Sequence, residues 1–69
     1  HVRRVKFATT SAVHLTSAQV NRRAHDLLFM SGISQPIVAY VARHFTACER
    51  EPKITRDYGT TRVRVYFCH

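Results

Sequence analysis

Acidic side chains are scarce in this sequence. Four Asp and Glu stand against eleven Lys and Arg, a formal net charge of +7. That imbalance points to a polyanionic partner, nucleic acid first and anionic membrane second. Cysteine is limited to Cys48 and Cys68, neither in a C-x-x-C, so a treble-clef or ribbon zinc site is not signalled. Long apolar runs are missing, and no stretch approaches the ~20 residues of a membrane span. Glycine and proline occur twice each, and no linker, repeat or low-complexity stretch is visible. The first residue is His1, and the expectation is a trimmed or excised piece in which targeting signals are unreadable.

What is present fits one small folded domain. With 45% apolar residues the chain is too hydrophobic for a disordered basic tail. At 69 residues, roughly 60% of the unfolded surface can be buried. Stability is then marginal unless a dimer interface, a metal or a disulfide adds to it. Nine of the eleven cations are arginine, whose planar fork fits phosphate and guanine bidentately.

Val2 to Ala8 reads as a strand, with Val5 and Phe7 on one side and Arg4 and Lys6 on the other. Thr16 or Ser17 then caps a helix, with Gln19 as a capping-box partner. Val20, Ala24, Leu27 and Leu28 form its apolar stripe, and Gly32 ends it. Ser34 caps a second expected helix with Pro36 in its first turn. Ile37, Val38, Val41 and Phe45 would be its buried stripe, and the segment closes at Glu49 to Pro52. Lys53 to Tyr58 and Thr61 to Phe67 form a hairpin whose loop uses Gly59 for its positive φ. Val63, Val65 and Phe67 point inward there, and Arg62, Arg64 and Tyr66 outward. The order is strand, helix, helix, strand, strand. A Cys48–Cys68 bridge would tie the end of the second helix to the last strand and imply an oxidising compartment. Two free, half-buried thiols in a cytosolic protein are the expected state.

The segment Gly32-Ile33-Ser34-Gln35-Pro36 is followed by the expected helix with Val38 and Val41, then by an Arg-rich hairpin ending in Val65-Tyr66-Phe67. Over Leu27 to Phe67 the chain thereby resembles the winged helix-turn-helix domains of small bacterial repressors. The resemblance implies a helix starting at Ser34 that enters the major groove of DNA, with the hairpin on the backbone. The residues support contacts of the same kind. Ser34 and Gln35 are short polar groups at a helix N-terminus. Tyr40 and Arg43 would extend the contact, and Arg22 and Arg23 would grip the backbone from the preceding helix. Lys53, Arg56, Arg62 and Arg64 would act from the hairpin.

Three other readings compete. The chain also resembles ribbon-helix-helix dimers, in which Arg4 and Lys6 on paired strands would read the groove. An RNA-binding structural protein, nucleocapsid-like or ribosome-associated, would dimerise along Thr61 to Phe67. A small ribonuclease or toxin would need His14, His44 and Arg43 to converge. A zinc site from His44, Cys48, Cys68 and His69 has spacing that arises readily by chance. The reading adopted is a single α+β domain, strand-helix-helix-β-hairpin and winged-helix-like. It binds nucleic acid, DNA ahead of RNA, as a homodimer without membrane, cofactor, metal or catalysis. Its expected location is cytoplasmic or nucleoid-associated.

Overall fold

The computed structural model describes residues 2–10, 14–41 and 47–69. Alternation builds the first element. In β1, Arg3–Thr9, Val5 and Phe7 are buried while Arg4 is exposed and Lys6 half-buried. The helix α1, Ser17–Met30, starts with the expected capping box. The Thr16 hydroxyl accepts from the Gln19 amide at 3.1 Å, and Gln19 Oε1 accepts from the Thr16 amide at 2.9 Å. Val20, Ala24, Leu27 and Leu28 are its buried stripe. The chain leaves α1 through Gly32 at φ +86°. The Gly32 amide donates to the Phe29 carbonyl at 3.0 Å, and the Ile33 amide donates to the Leu28 carbonyl at 2.9 Å. Those paired bonds satisfy the last carbonyls of the helix.

The expected second helix is not what Ser34 introduces. Residues Ile37–Val41 are a strand, β2, lying parallel to β1 with Arg3 opposite Ile37 and Phe7 opposite Val41. The physical reason lies in the residues. Pro36 biases Gln35 to extended backbone, and Ile37, Val38 and Val41 are β-branched. The Arg3 amide also donates to the Pro36 carbonyl at 2.8 Å, which starts the ladder between the strands. A short apolar run fits either period, and here the neighbouring strand decides. Of the rest of that expected helix, residues 42–46 lie outside the described residues, and Cys48 forms an antiparallel bridge with Cys68 instead. Parallel neighbours need a crossover, and α1 supplies it.

The hairpin forms as expected, with β3 at Ile54–Tyr58 and β4 at Thr61–Cys68. Gly59 takes φ +60° in the loop. β4 pairs antiparallel with β3 on one side and with β1 on the other. The sheet order is β2-β1-β4-β3. The domain is therefore α+β, with one helix among the described residues packed on a four-stranded mixed sheet.

This order corrects three sequence-based expectations. The strand expected as a dimer seam, Thr61 to Phe67, lies inside the sheet, hydrogen-bonded on both sides. β1 is likewise flanked by β2 and β4. It has no free side with which to pair in a ribbon-helix-helix dimer. The helix on which the winged-helix resemblance depends is replaced by β2 over 37–41.

The core lies between α1 and one face of the sheet. Val5, Leu28 and Val65 are completely buried at its centre, with Phe7, Ala24, Leu27, Ala39 and Val63 around them. Asn21, on the same side of α1, reaches the outer edge of β2. Its Oδ1 accepts from the Ala39 amide at 2.9 Å, and its Nδ2 donates to the Ala39 carbonyl at 3.3 Å. The carboxamide thus takes the place of a neighbouring strand at an edge that would otherwise be open.

Cys48 and Cys68 form a disulfide, contrary to the expected free thiols. The bridge joins residues that already pair across an antiparallel contact. The Glu49 amide donates to the Phe67 carbonyl at 2.8 Å and the His69 amide to the Ala47 carbonyl at 2.7 Å. Backbone pairing therefore holds the two cysteines opposite each other.

Two outcomes are expected. Asn21→Ala leaves the Ala39 edge groups without their partner and costs about 1–3 kcal/mol in urea unfolding, with the m-value unchanged. Opening the Cys48–Cys68 link, with 20 residues of separation, costs about 3 kcal/mol on the loop-entropy estimate. Unfolding with and without reductant, beside the Cys48→Ser, Cys68→Ser double variant, measures it.

Candidate nucleic-acid interface

Strand pleating divides the sheet's side chains between two faces. Residues 5, 7, 63 and 65 take the helix face. Arg4 and Lys6 of β1, and Arg62, Arg64 and Tyr66 of β4, take the other. No helix among the described residues lies on that second face. The register brings these groups together. Lys6 stands opposite Tyr66, Ala8 opposite Arg64 and Arg4 opposite Cys68. On the far side of β4, Thr55 stands opposite Arg64 and Asp57 opposite Arg62. The Lys6 ammonium lies 4.2 Å from the centroid of the Tyr66 ring. Tyr66 is thus ringed by Lys6 across the ladder, Arg64 two residues along its own strand, and Arg4 on the diagonal. On β2, Tyr40 occupies the register position opposite Lys6.

Asp57 is the one acidic residue among the described strand positions on this face, and it is paired. Arg62 Nε donates to Asp57 Oδ1 at 2.6 Å, and Arg62 Nη2 to Oδ2 at 3.4 Å. The hydrogen bond from Arg62, joined by the charges of Arg62 and Arg64, holds the Asp57 carboxyl below its ordinary value. The same bond raises Arg62. Both groups are well exposed, so the pair adds little to stability. Its effect falls on the surface field, because it neutralises one of the four cations. Lys6 and Arg64 keep their charge beside it on this face.

The residues expected to contact nucleic acid are divided by the fold. Arg62 and Arg64 lie on the helix-free face, as the alternation implied. Arg22 and Arg23 are exposed on α1, on the opposite side of the sheet. Ser34 is exposed in the connection before β2 and caps no helix there. Gln35 Oε1 accepts from Arg3 Nε at 3.3 Å. The Lys53 ammonium stands 5.6 Å and the Arg3 guanidinium 4.3 Å from the Phe67 centroid, a ring packed against the core. Arg56 stands opposite core Val63, half-buried on the helix side, with Nε buried and unpartnered. Arg43 lies outside the described residues. So does His44, which leaves the expected convergence of His14, His44 and Arg43 outside them as well. The disulfide consumes both thiols of the zinc arrangement weighed above, and no cluster of three metal-ligating side chains occurs among the described residues.

Lys6 and Tyr66 were the residues missed as a pair. Each was read as outward-facing on its own strand. The missing fact was that the first and last strands are neighbours. Matching outward series, Arg4-Lys6 and Arg62-Arg64-Tyr66, were the available signal.

On the helix side, an apolar cleft of about 210 Å³ opens between α1 and the hairpin. It is lined by Phe7, Leu27, Met30, Tyr58 and Val63, with Arg23 and Asp26 as its charged groups. Those two opposite charges give it no excess positive field. The cationic excess with an adjoining aromatic ring belongs to the other face.

Asp57→Asn removes the carboxylate that occupies Arg62. Polyanion affinity should rise, and the log-log salt slope should steepen by about 0.7–0.9, as read by heparin or oligonucleotide titration. Acid acts the same way. The depressed carboxyl stays ionised down to a pH below its unfolded value, so the Arg62 pair is retained above that range and lost as pH falls through the folded pKa. No family model, curated protein or solved structure matches the chain.

Proposed function

We propose that this chain is a nucleic-acid-binding module whose contact surface is the helix-free face of the sheet. The observation that carries the reading is the adjacency of Lys6, Arg64 and Arg4 around Tyr66 on two central strands, with Arg62 farther along β4 on the same face. Among the strand positions of that face the one carboxylate is Asp57, already paired with Arg62. Like charges on neighbouring strands repel. A polyanion laid across them relieves the repulsion and releases its own counterions. The net charge of +7 supplies the long-range attraction.

The mode differs from the one that the winged-helix resemblance implied. Insertion of a helix starting at Ser34 has no helix to carry it over 37–41. The binding energy comes instead from strands. Arg64 and Lys6 act as the central phosphate contacts, and Arg4 extends the surface toward the Cys68 end. Arg62 contributes when Asp57 is displaced or protonated. The Cys48–Cys68 bridge favours an oxidising compartment over a cytoplasmic or nucleoid-associated location.

Lys6→Ala with Arg64→Ala should weaken binding at every base sequence alike. It should lower the salt slope by about 1.4 on single strands or about 1.8 on duplex. Arg22→Ala with Arg23→Ala, on the opposite side, should leave most of the affinity in place. The comparison is made by anisotropy titration over a series of salt concentrations. Equal losses from the two pairs would remove this face from the proposal.

A further inference from the structure

We infer that the nucleic acid this face takes is single-stranded, with a base stacked on the Tyr66 ring. The inference rests on the proposed nucleic-acid reading and narrows it to one substrate class.

Groove recognition in a duplex requires an element that can enter, a helix or a free two-stranded ribbon. The cationic strands here cannot enter a groove. β1 and β4 are both interior to the sheet. The hairpin could approach as a ribbon, but its tip carries Asp57 beside Arg62, and that pair offers no net positive charge to a groove. Sheet faces suit the other geometry. Unpaired bases splay onto aromatic rings while their phosphates follow neighbouring cations. Tyr66 meets that requirement by its place on a central strand, with Lys6 opposite and Arg64 two residues away.

The Lys6 ammonium rests 4.2 Å from the Tyr66 centroid, on a ring face that a base would use. Lys6 and Tyr66 are each half-buried, and a base stacked on the ring replaces their contact with one of the same order or stronger. The displaced ammonium then lies beside the sugar–phosphate of the nucleotide that displaced it. Stacking and phosphate pairing are therefore coupled through one lysine, and a duplex, whose bases are already stacked, gains only the second.

The test uses labelled single-stranded RNA, single-stranded DNA and duplex DNA of matched sequence and length, titrated at equal salt. Both single strands should bind more tightly than the duplex. Tyr66→Leu should weaken single-strand binding about 5- to 100-fold, leave the salt slope unchanged, and barely alter duplex binding. Tyr66→Phe should retain the wild-type affinities. Because the chain has no tryptophan, Tyr66→Trp provides a single reporter. Its emission should be quenched by saturating single strand and not by duplex. Duplex preference, a uniform loss from Tyr66→Leu, or unquenched emission at saturation would overturn the stacking proposal and leave the electrostatic one standing. Failure of the wild-type chain to bind any of the three at low salt would overturn both.

Discussion

The antiparallel ladder between β1 and β4 joins the first and last strands of the chain, and the other contacts are arranged around it. Six residue pairs define its register, from Arg4 opposite Cys68 to Thr9 opposite Val63. On one face it sets Val5 beside Phe67 and Phe7 beside Val65, which gives α1 an apolar surface to cover. On the other it sets Lys6 beside Tyr66. A slip by one residue would exchange the two faces, exposing the valines and burying arginines. Core and candidate interface therefore share one register. The burial that stabilises the domain is also what holds the cations on neighbouring strands.

Local chemistry made part of this architecture legible in the sequence. Thr16 with Gln19 marked the start of α1, Gly32 its end and Gly59 the hairpin loop, because each answers a backbone requirement within a few residues. Alternation in 2–8 and 61–67 correctly separated Val5, Phe7, Val63 and Val65 from Arg4, Lys6, Arg62 and Arg64. The segment from Ser34 was misread because Ile37, Val38 and Val41 satisfy a helical stripe and a strand equally well. Its state is decided by β1, more than thirty positions earlier, which no local pattern reports. The same non-locality hid the interface. Arg64 and Tyr66 were recognised as outward, and so were Arg4 and Lys6, but their adjacency is a product of sheet order. The cysteines follow this logic as well, since only the backbone pairing of 47–49 with 67–69 brings them opposite each other.

Charge is distributed over the domain unevenly. Arg22 and Arg23 lie on the helix side, and Arg3 and Lys53 are engaged with Phe67. On the helix-free face, acidic compensation among the strand positions is limited to Asp57. A high positive charge on a small domain opposes compaction through self-repulsion. Here part of that charge is absorbed by aromatic rings, which accept a cation without cancelling it. Lys6 over Tyr66 and Arg3 over Phe67 are held in place while remaining positive toward solvent. This differs from Arg62, whose carboxylate partner removes its charge from the field.

The Asn21 carboxamide has a consequence for self-association. Sheets grow by edge-to-edge addition, and unlimited growth requires each molecule to offer two usable rims. Asn21 occupies the middle of one rim, at Ala39, from within the same molecule. The rim along β3 remains. For this strand-rich domain, a side chain contributed by the helix thus blocks edge-to-edge addition at Ala39.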